Sequence, residues 1–503
     1  MKQLYLLCLL VTSAVSYKIL CIHMVPSKSH FHLVNGVVQP LLKAGHKIVL
    51  ATPFPEAVKN HNNITVIDLS SHNDFLKNID MSDPNVNMGN VISLSRDMTL
   101  ATVRKPVIQE MLVKDQFDAV VTEWFFTDID AGYAAILQVP WIVLSGNVIN
   151  YQVEQLVHTV TSVPIIPSIH TDYPMPMSFW HRLQSTISYA TMMIYEWKSY
   201  QLFKSDYEEN FGPLAAARGI PLPPFEETYR NVSILLSDSH PSFSPARSIP
   251  PNLVEIAGYH IDANIPQLPE DLKQLLDASP QGVIYFSMGS VLKASAFKGN
   301  TKKELLQVFG SLKQTVLWKL DEKIDGLPKN VHVRPWMPQS SILAHPNVKI
   351  FITHGGLLST MESLHYGIPI LTIPVFADQP HNAARSIEAG RALRVKYSPE
   401  MAPDVKIALQ EMLRNDSYYK KAKELSKLFR NRLNKPSDLI THYVEMAIET
   451  KGALHLRSVI KQYQWYEYLM LDQLLFICII LYIIYSIIRK MLSASKISKR
   501  KND

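Results

Sequence analysis

Short apolar runs alternate with amphipathic stretches along the first part of the chain. The first run covers residues 18–24 and is followed by a loop at 25–29, a helical pattern from about 31 to 44, and a second apolar run at 47–51. This strand–helix–strand spacing is typical of a βαβ unit in a parallel sheet. Further runs at 117–122 and 139–144 predict that the same sheet continues.

A second series of apolar runs begins after a proline-rich stretch at about 264–280. Its predicted strands are residues 283–287, 315–319, 331–334, 348–353 and 368–373, with helical stretches between them. Two such series in 503 residues predict an α/β protein with two doubly wound, Rossmann-like domains that face a cleft. We place the first domain at 17–263 and the second at 264–450.

Between the two series, residues 178–198 carry many aromatic and methionine side chains at helical spacing. This pattern is typical of a helix in a core or a domain interface. It also fits a lid, or a surface that leans on a membrane, near an apolar pocket. The residues concerned are Phe179, Trp180, Tyr189, Met192, Met193, Tyr195 and Trp197.

The N-terminus has the organisation of a secretory signal peptide. Lys2 precedes an apolar stretch at 4–11, and small residues lead to Ala14 and Ser16. The sequence therefore predicts a signal peptide at 1–16 and a mature chain that starts at Tyr17. The alternative is a buried first strand.

A predicted transmembrane helix lies at 469–488, after a juxtamembrane segment at 451–468 that contains the aromatic residues Trp465 and Tyr466. A basic tail, 489–503, follows it. By the positive-inside rule the tail is cytoplasmic, which predicts a single-pass type I protein with a lumenal body. Lys499 and Lys501 resemble a dibasic endoplasmic-reticulum retrieval signal. A buried core helix is the alternative to a span.

The net charge is +6, and much of the basic excess lies in the tail, which favours a membrane over a nucleic-acid partner. Of the three cysteines, Cys8 lies in the N-terminal apolar run and Cys478 in the C-terminal one. Cys21 is then alone in the soluble part, which excludes an intrachain disulfide framework or a cysteine metal site there. Sequons at Asn63, Asn231 and Asn415 fit a glycosylated lumenal body.

Residues 331–384 carry the candidate chemistry. A predicted strand ends at Thr353 and delivers His354, Gly355 and Gly356 to the start of a helix, where free backbone N–H groups favour a diphosphate. In the same stretch a carboxylate, Glu362, could accept two ribose hydroxyls. Flat and polar side chains that could contact a nucleobase or ribose precede it, at Trp336 and Gln339.

Together with Ser359, Asp378 and Gln379, this stretch resembles the signature of the UDP-glycosyltransferases, a family with the two-domain GT-B fold. The Gly-Gly-Leu-Leu-Ser form at 355–359 is similar to invertebrate members, and the predicted signal peptide, late span and basic tail look like the membrane-bound animal branch. The resemblance implies a UDP-sugar site at the residues above. It assigns sugar contacts to Asp378 and Gln379, and places Ser290 facing the phosphates.

Transfer to an alcohol requires a base, and histidine suits this role because its pKa lies near neutrality. The resemblance places the base after the first strand, at His30, with His32 as the alternative. A carboxylate should orient the base. The family usually has Asp after the strand at 117–122, whereas this chain has Glu123. We favour Glu123 over Asp128 as the partner.

The resemblance implies metal-independent, inverting transfer of a hexose to a hydroxyl of a small lipophilic acceptor such as a phenol or sterol. The UDP-sugar is a co-substrate, and no cofactor or metal is expected. Asp128-Ile129-Asp130 has the form of a metal-binding pair but lies in the acceptor half, so we interpret it as coincidence. Glucose is the favoured sugar, although glucuronate stays open because Arg385 follows Asn382 closely.

Two other hypotheses remain at this stage. Glu123 in place of Asp favours a catalytically silent member that acts as a binding or partner subunit. A lipid-binding or transport protein is the third. The sequence does not identify the acceptor, and oligomerisation stays open.

Overall fold

The computed structural model describes residues 16–77, 87–262, 264–289 and 297–502. It divides into two compact units, Met1–Leu456 and Arg457–Asp503. The predicted signal peptide, apart from Ser16, and Ser290 lie outside the described residues.

The first sheet has seven parallel strands in the order β3-β2-β1-β4-β5-β6-β7. Its strands are β1 (Lys18–Ile22), β2 (Lys47–Thr52), β3 (Ile64–Asp68), β4 (Ala119–Glu123), β5 (Trp141–Ser145), β6 (Ile234–Ser237) and β7 (Leu253–Glu255). The associated helices are α1 (Lys28–Lys43), α2 (Asn73–Leu76), α3 (Met88–Val103), α4 (Pro106–Lys114), α5 (Ala131–Leu137), α6 (Tyr151–Leu156), α7 (Phe179–Arg218) and α8 (Phe225–Thr228).

The second sheet has six parallel strands in the order β10-β9-β8-β11-β12-β13. Its strands are β8 (Val283–Ser287), β9 (Thr315–Lys319), β10 (Val331–Arg334), β11 (Val348–Thr353), β12 (Ile370–Thr372) and β13 (Ala392–Arg394). The helices are α9 (Glu270–Asp277), α10 (Thr301–Gly310), α11 (Gln339–Leu343), α12 (Leu357–Tyr366), α13 (Gln379–Glu388), α14 (Ala402–Arg414) and α15 (Ser417–Arg430).

Both sheets therefore have the doubly wound order in which the chain leaves a central strand in one direction and later returns to its other side. Parallel sheets of this kind are covered on both faces, so their central strands read as continuous apolar runs. All residues of β8 are buried, for example. Beside it, the Phe286 and Trp318 rings stack at 5.2 Å between centroids.

Helix α16 (Pro436–Glu449) follows the second domain in sequence but packs against the first. Its buried residues Ile440, Val444 and Ala447 share a core with Val37 and Leu41 of α1. The spacing of these three residues places them on one stripe of the helix, which needs an apolar surface to cover. The predicted boundary at 450 therefore assigns to the second domain a helix that is buried against the first, and the domain limits stay a prediction.

The predicted strands of the second domain agree closely with the structure, while four short strands, β3, β6, β7 and β13, were missed. Helix α1 starts at Lys28, earlier than predicted, so His30 lies in the first helical turn. Helix α7 is also longer than its pattern suggested. Its C-terminal half is packed on α3, α4, α5 and α8, whereas Phe179, Trp180 and Trp197 are exposed.

In the second unit, α17 (Trp465–Tyr468) precedes α18 (Leu471–Asn502). Within the described residues, Leu471–Leu492 is the one helix stretch that is long and apolar enough to cross a membrane, and none of it is buried. It overlaps the span predicted at 469–488.

The packing of α16 on α1 leads to a stability prediction. Replacing Ile440, which is fully buried, with Ala should lower the free energy of unfolding by about 2–5 kcal/mol, because it removes apolar contacts and leaves a cavity. Urea unfolding followed by tryptophan fluorescence measures the change. Ile407→Ala, at a site 65 % exposed, is the matched control, and equal effects for the two variants would contradict the role of this contact.

Candidate functional site

A cleft of about 2300 Å³ is lined by residues of both domains, at the carboxyl ends of the strands. This is where ligands bind in open α/β sheets. The predicted site residues that line it are His30, Glu123, Trp336, Gln339, His354, Gly356, Ser359, Glu362, Asp378 and Gln379. Gly355 stands between His354 and Gly356 in the sequence but does not itself line the cleft. Asp128 does not line it either.

His30 and Glu123 meet at the centre of the first sheet. His30 stands in the helical turn after β1, Glu123 is the last residue of β4, and β1 pairs with β4. The Nδ1 atom of His30 lies 2.5 Å from Oε1 of Glu123. Because Glu123 holds Nδ1, the Nε2 atom of His30 is the ring nitrogen left for a ligand.

The environment of this pair raises the proton affinity of the imidazole. Burial opposes the charge, but the charge and hydrogen bond of Glu123, with a smaller effect of Asp378, outweigh it. The net result is a raised pKa for His30. The Glu123 side chain is only 1 % exposed, so little water screens its interaction with His30.

Asp128, the alternative partner, lies elsewhere. Its Oδ1 accepts a hydrogen bond of 3.0 Å from the Trp124 indole, and burial raises its pKa although Arg230 opposes the shift. Burial likewise raises the pKa of Asp130 to about 7. The structure therefore places Glu123, and not Asp128, beside His30. Asp128 and Asp130 are instead surrounded by other groups of the protein.

A glycine-lined bed surrounds His354 in the second domain. Gly355 has a φ of +85°, a conformation that L side chains rarely adopt. A Cβ on Gly289 would lie 2.6 Å from Cε1 of His354, and one on Gly356 would lie 2.5 Å from its Nε2. Glycine is thus required at these positions for the backbone to approach the ring and the start of α12. Burial, with Lys319, lowers the pKa of His354 to about 4, so the ring is neutral.

Polar side chains from α11 and α12 form a second cluster. Oε2 of Glu362 accepts a hydrogen bond from the Gln339 amide and Oε1 accepts one from the Ser340 hydroxyl, while Gln339 also donates to Ser359 Oγ at 3.0 Å. A carboxylate has about four acceptor positions, so Glu362 can accept further hydroxyls. Trp336 is 63 % exposed towards this end of the cleft.

Asp378 and Gln379 stand at the start of α13, and the charge of Asp378 reaches His30. Oδ2 of Asp378 accepts a 2.6 Å hydrogen bond from Asn382, which also donates to the Gly355 carbonyl at 3.0 Å. The Gln379 amide oxygen accepts from the backbone N–H groups of Val375 and Phe376. Its NH2 group is therefore the part that can serve a ligand.

Sequence reasoning assigned no role to Ser340 or Asn382, because each acts through a neighbouring side chain, Glu362 or Asp378, whose contact only the fold shows. It also did not place the apolar wall beside His30, where the Phe125 ring packs edge-on at 5.3 Å between centroids. The apolar side chains that line this part of the cleft include Val91, Leu94, Met98, Phe125, Phe126 and Met192. The run of three aromatic residues directly after β4, Trp124 to Phe126, was the available signal.

Of the predicted glycosylation sites, Asn231 is exposed, whereas Asn63 and Asn415 are half-buried. Their occupancy stays a prediction.

Comparisons with known proteins bear on the family and the fold of this chain. The family model described as UDP-glucoronosyl and UDP-glucosyl transferase matches residues 18–501. The chain is similar to the UDP-glycosyltransferase UGT5 of Dactylopius coccus, with 30 % identity over 97 % of this chain and 94 % of that protein. It is also similar to UDP-glucuronosyltransferase 2B15 of Rattus norvegicus, with 31 % identity over 67 % of this chain and 63 % of that one.

Solved structures share the fold. The glycotransferase of kitacinnamycin has a TM-score of 0.59 and 17 % identity, covering 85 % of this chain and 99 % of its own. The calicheamicin glycosyltransferase CalG4 has a TM-score of 0.59 and 17 % identity over 87 % and 99 %. The predicted GT-B architecture is thereby confirmed.

The contact between His30 and Glu123 leads to a prediction about protonation. Glu123→Gln removes the charge that raises the pKa of His30, so this pKa should fall. Diethyl pyrocarbonate modifies neutral imidazole, and mass spectrometry can follow its reaction at His30 as the pH is varied. The midpoint should move to lower pH in Glu123→Gln and stay near the wild-type value in Asp128→Asn. A midpoint that moves only in Asp128→Asn would contradict the geometry.

Proposed function

Because the chain belongs to the UDP-glucuronosyl and UDP-glucosyl transferase family, we propose that it moves a hexose, with glucose favoured, from a UDP-sugar to a hydroxyl of a small lipophilic acceptor. The observation that carries this proposal is the position of His30. The ring is held by Glu123, packs against Phe125 on the apolar side, and is close enough to Asp378 on the polar side for that charge to affect its pKa.

In the proposed reaction, Nε2 of His30 takes the proton of the acceptor hydroxyl as its oxygen attacks the anomeric carbon. The bond between that carbon and the β-phosphate oxygen breaks, and its electron pair leaves with UDP. A single displacement inverts the anomeric centre. Glu123 holds the ring through Nδ1 and stabilises the imidazolium that forms, which is the role of a carboxylate in other histidine–carboxylate pairs.

For the donor, we propose that Trp336 stacks on the uracil, Gln339 pairs with the base or ribose, and Glu362 accepts the ribose hydroxyls. The diphosphate would lie at His354, Gly355 and Gly356, where α12 begins. Free N–H groups at a helix start favour an anion. Asp378 and the NH2 group of Gln379 would bind sugar hydroxyls. This arrangement supports a UDP-sugar as the co-substrate.

The surroundings of Asp378 favour a neutral sugar. A glucuronate carboxylate would meet the Asp378 carboxylate and would need a cation nearby. Arg385 is already held, since its Nη1 lies 2.9 Å from Glu388 and its Nη2 donates to the Tyr173 carbonyl. Arg385 also does not line the cleft, and this supports glucose.

We also propose that transfer is independent of a metal. Asp128 is engaged by Trp124 and Asp130 is buried, so this pair is poorly suited to act as a ligand set for a cation at the diphosphate.

The hypothesis of a catalytically silent subunit depended on Glu123 standing where the family usually has Asp. The contact between Glu123 and His30 weakens that hypothesis.

The helix at Leu471–Leu492 supports a membrane-anchored enzyme. We propose that the body is lumenal, in the endoplasmic reticulum, on the basis of the basic tail that follows the span. The site does not require an oligomer, because one chain supplies all of the residues that line it. Sedimentation of the detergent-solubilised protein would measure its oligomeric state.

The central prediction concerns His30. Microsomes that carry the wild-type protein should release UDP from UDP-glucose in the presence of a panel of phenols and sterols. His30→Ala should lower this turnover at least about 100-fold, because general-base catalysis contributes about 10²–10⁴-fold. His32→Ala should retain far more activity. The reverse ranking would make His32 the base, and UDP binding without any turnover would support a silent subunit.

Donor and metal dependence give a further prediction. Turnover should be faster with UDP-glucose than with UDP-glucuronate, and it should persist after treatment with EDTA. The turnover of Asp128→Asn should likewise persist after treatment with EDTA. A turnover that EDTA abolishes and Mg²⁺ or Mn²⁺ restores would overturn metal independence, and a preference for UDP-glucuronate would overturn the assignment of the sugar.

A further inference from the structure

Lys319 is a cation at the diphosphate end of the cleft. It is the last residue of β9 and lies in register with Ser287 at the end of β8. Its Nζ donates a 3.0 Å hydrogen bond to the carbonyl of Gly289, the glycine that packs against the His354 ring. The ammonium group is therefore fixed beside the glycine-lined bed where α12 begins.

A second lysine lies across the cleft. Lys28 is the first residue of α1, two positions before His30, and it lines the cleft together with Lys319. The two residues come from different domains. Lys28 stands at the start of a helix and Lys319 at the end of a strand, so neither lysine depends on the other for its position.

The electrostatic balance indicates that this region is suited to an anion. Burial lowers the pKa of Lys319, the charge of Lys28 lowers it further, and Asp321 only partly opposes these effects. Lys319 in turn contributes to the lowered pKa of His354, after burial. His354 is thus neutral, and Lys319 supplies the positive charge beside the bed. An anion between the lysines would relieve their repulsion.

We propose that Lys319, with Lys28 facing it from the other domain, binds the diphosphate of the donor and stabilises the negative charge on the leaving UDP. This inference rests on the proposed function. As the bond to the anomeric carbon breaks, its electron pair goes to the β-phosphate oxygen, and the acceptor proton goes to His30. The lysines keep their protons and act by charge, a kind of stabilisation that is strong in a cleft that excludes water.

The position of Lys319 favours the diphosphate over a sugar carboxylate. Lys319 contacts Gly289 and affects His354, whereas the proposed sugar contacts, Asp378 and Gln379, stand on α13.

Calorimetric titration of the full chain in detergent micelles with UDP, UMP and uridine tests this proposal. Lys319→Met should weaken UDP binding by about 10- to 100-fold, the range expected for loss of a hydrogen bond to a charged group, and leave uridine binding unchanged. Lys319→Arg should restore most of the UDP affinity. Lys28→Met should give a smaller loss, since its side chain is exposed.

The matched control is Lys59→Met, which removes an exposed lysine from another part of the cleft wall and should leave UDP binding unchanged. Retained uridine binding in Lys319→Met shows that the variant is folded. The proposal is overturned if UDP and uridine weaken equally in Lys319→Met, or if UDP binding is unchanged in the Lys28→Met/Lys319→Met double variant.

Turnover separates this inference from the proposed function. In Lys319→Met, kcat with UDP-glucose should fall in addition to the rise in KM, because the charge acts on the leaving group. A wild-type protein that binds UDP but releases none from any UDP-sugar would contradict the proposed function, while the UDP and uridine titrations would still decide the role of the lysines. Full turnover in the double variant would overturn the inference alone.

Discussion

The polar groups of the candidate site depend on one topological constraint. In each sheet, the central pair of strands is where the chain order reverses, and the loops that leave this pair diverge and open a crevice. In the first sheet the pair is β1 and β4, which carry His30 and Glu123. In the second it is β8 and β11, which lead to Gly289 and His354. Because both crevices open into one cleft, the His30–Glu123 pair and the glycine-lined bed at His354 face each other.

The helix that presents His30 is itself supported from far along the chain. Helix α16 packs its apolar stripe on α1 after the chain has completed the second domain. The first turn of α1 carries both Lys28 and His30, so the orientation of these groups depends on a core that includes residues more than 400 positions later. This packing couples the end of the second domain to the chemistry of the first.

Burial determines which groups carry charge in the cleft. Two further carboxylates, Asp128 and Asp130, follow Glu123 within seven residues, yet burial raises the pKa of both. The raised pKa of Asp130 reduces the negative charge near Glu123. On the second-domain side of the cleft, the low pKa of His354 keeps that ring neutral and leaves Lys319 as the positive group. The same desolvation thus assigns different charge states to chemically similar residues.

The sequence by itself determined the two parallel sheets and most of the residues that line the cleft from the second domain. Buried parallel strands are apolar throughout, and residues 331–384 follow one another along strand ends and helix starts, so their spacing, with the family resemblance, places Trp336, His354 and Glu362 in one region. The predictions for β8 to β11 match the structure for the same reason. Strands of three or four residues, such as β7 and β13, carry too little periodicity to be recognised.

Tertiary structure decided the contacts between segments that are distant in sequence. Glu123 and Asp128 are both near the end of β4, and only the pairing of β1 with β4 shows which of them reaches His30. The engagement of Arg385 by Tyr173, the return of α16 to α1 and the approach of Lys28 and Lys319 from two domains depend likewise on long-range packing. Local patterns specify which element forms, but the distance between two side chains on different elements is set only when the cores assemble.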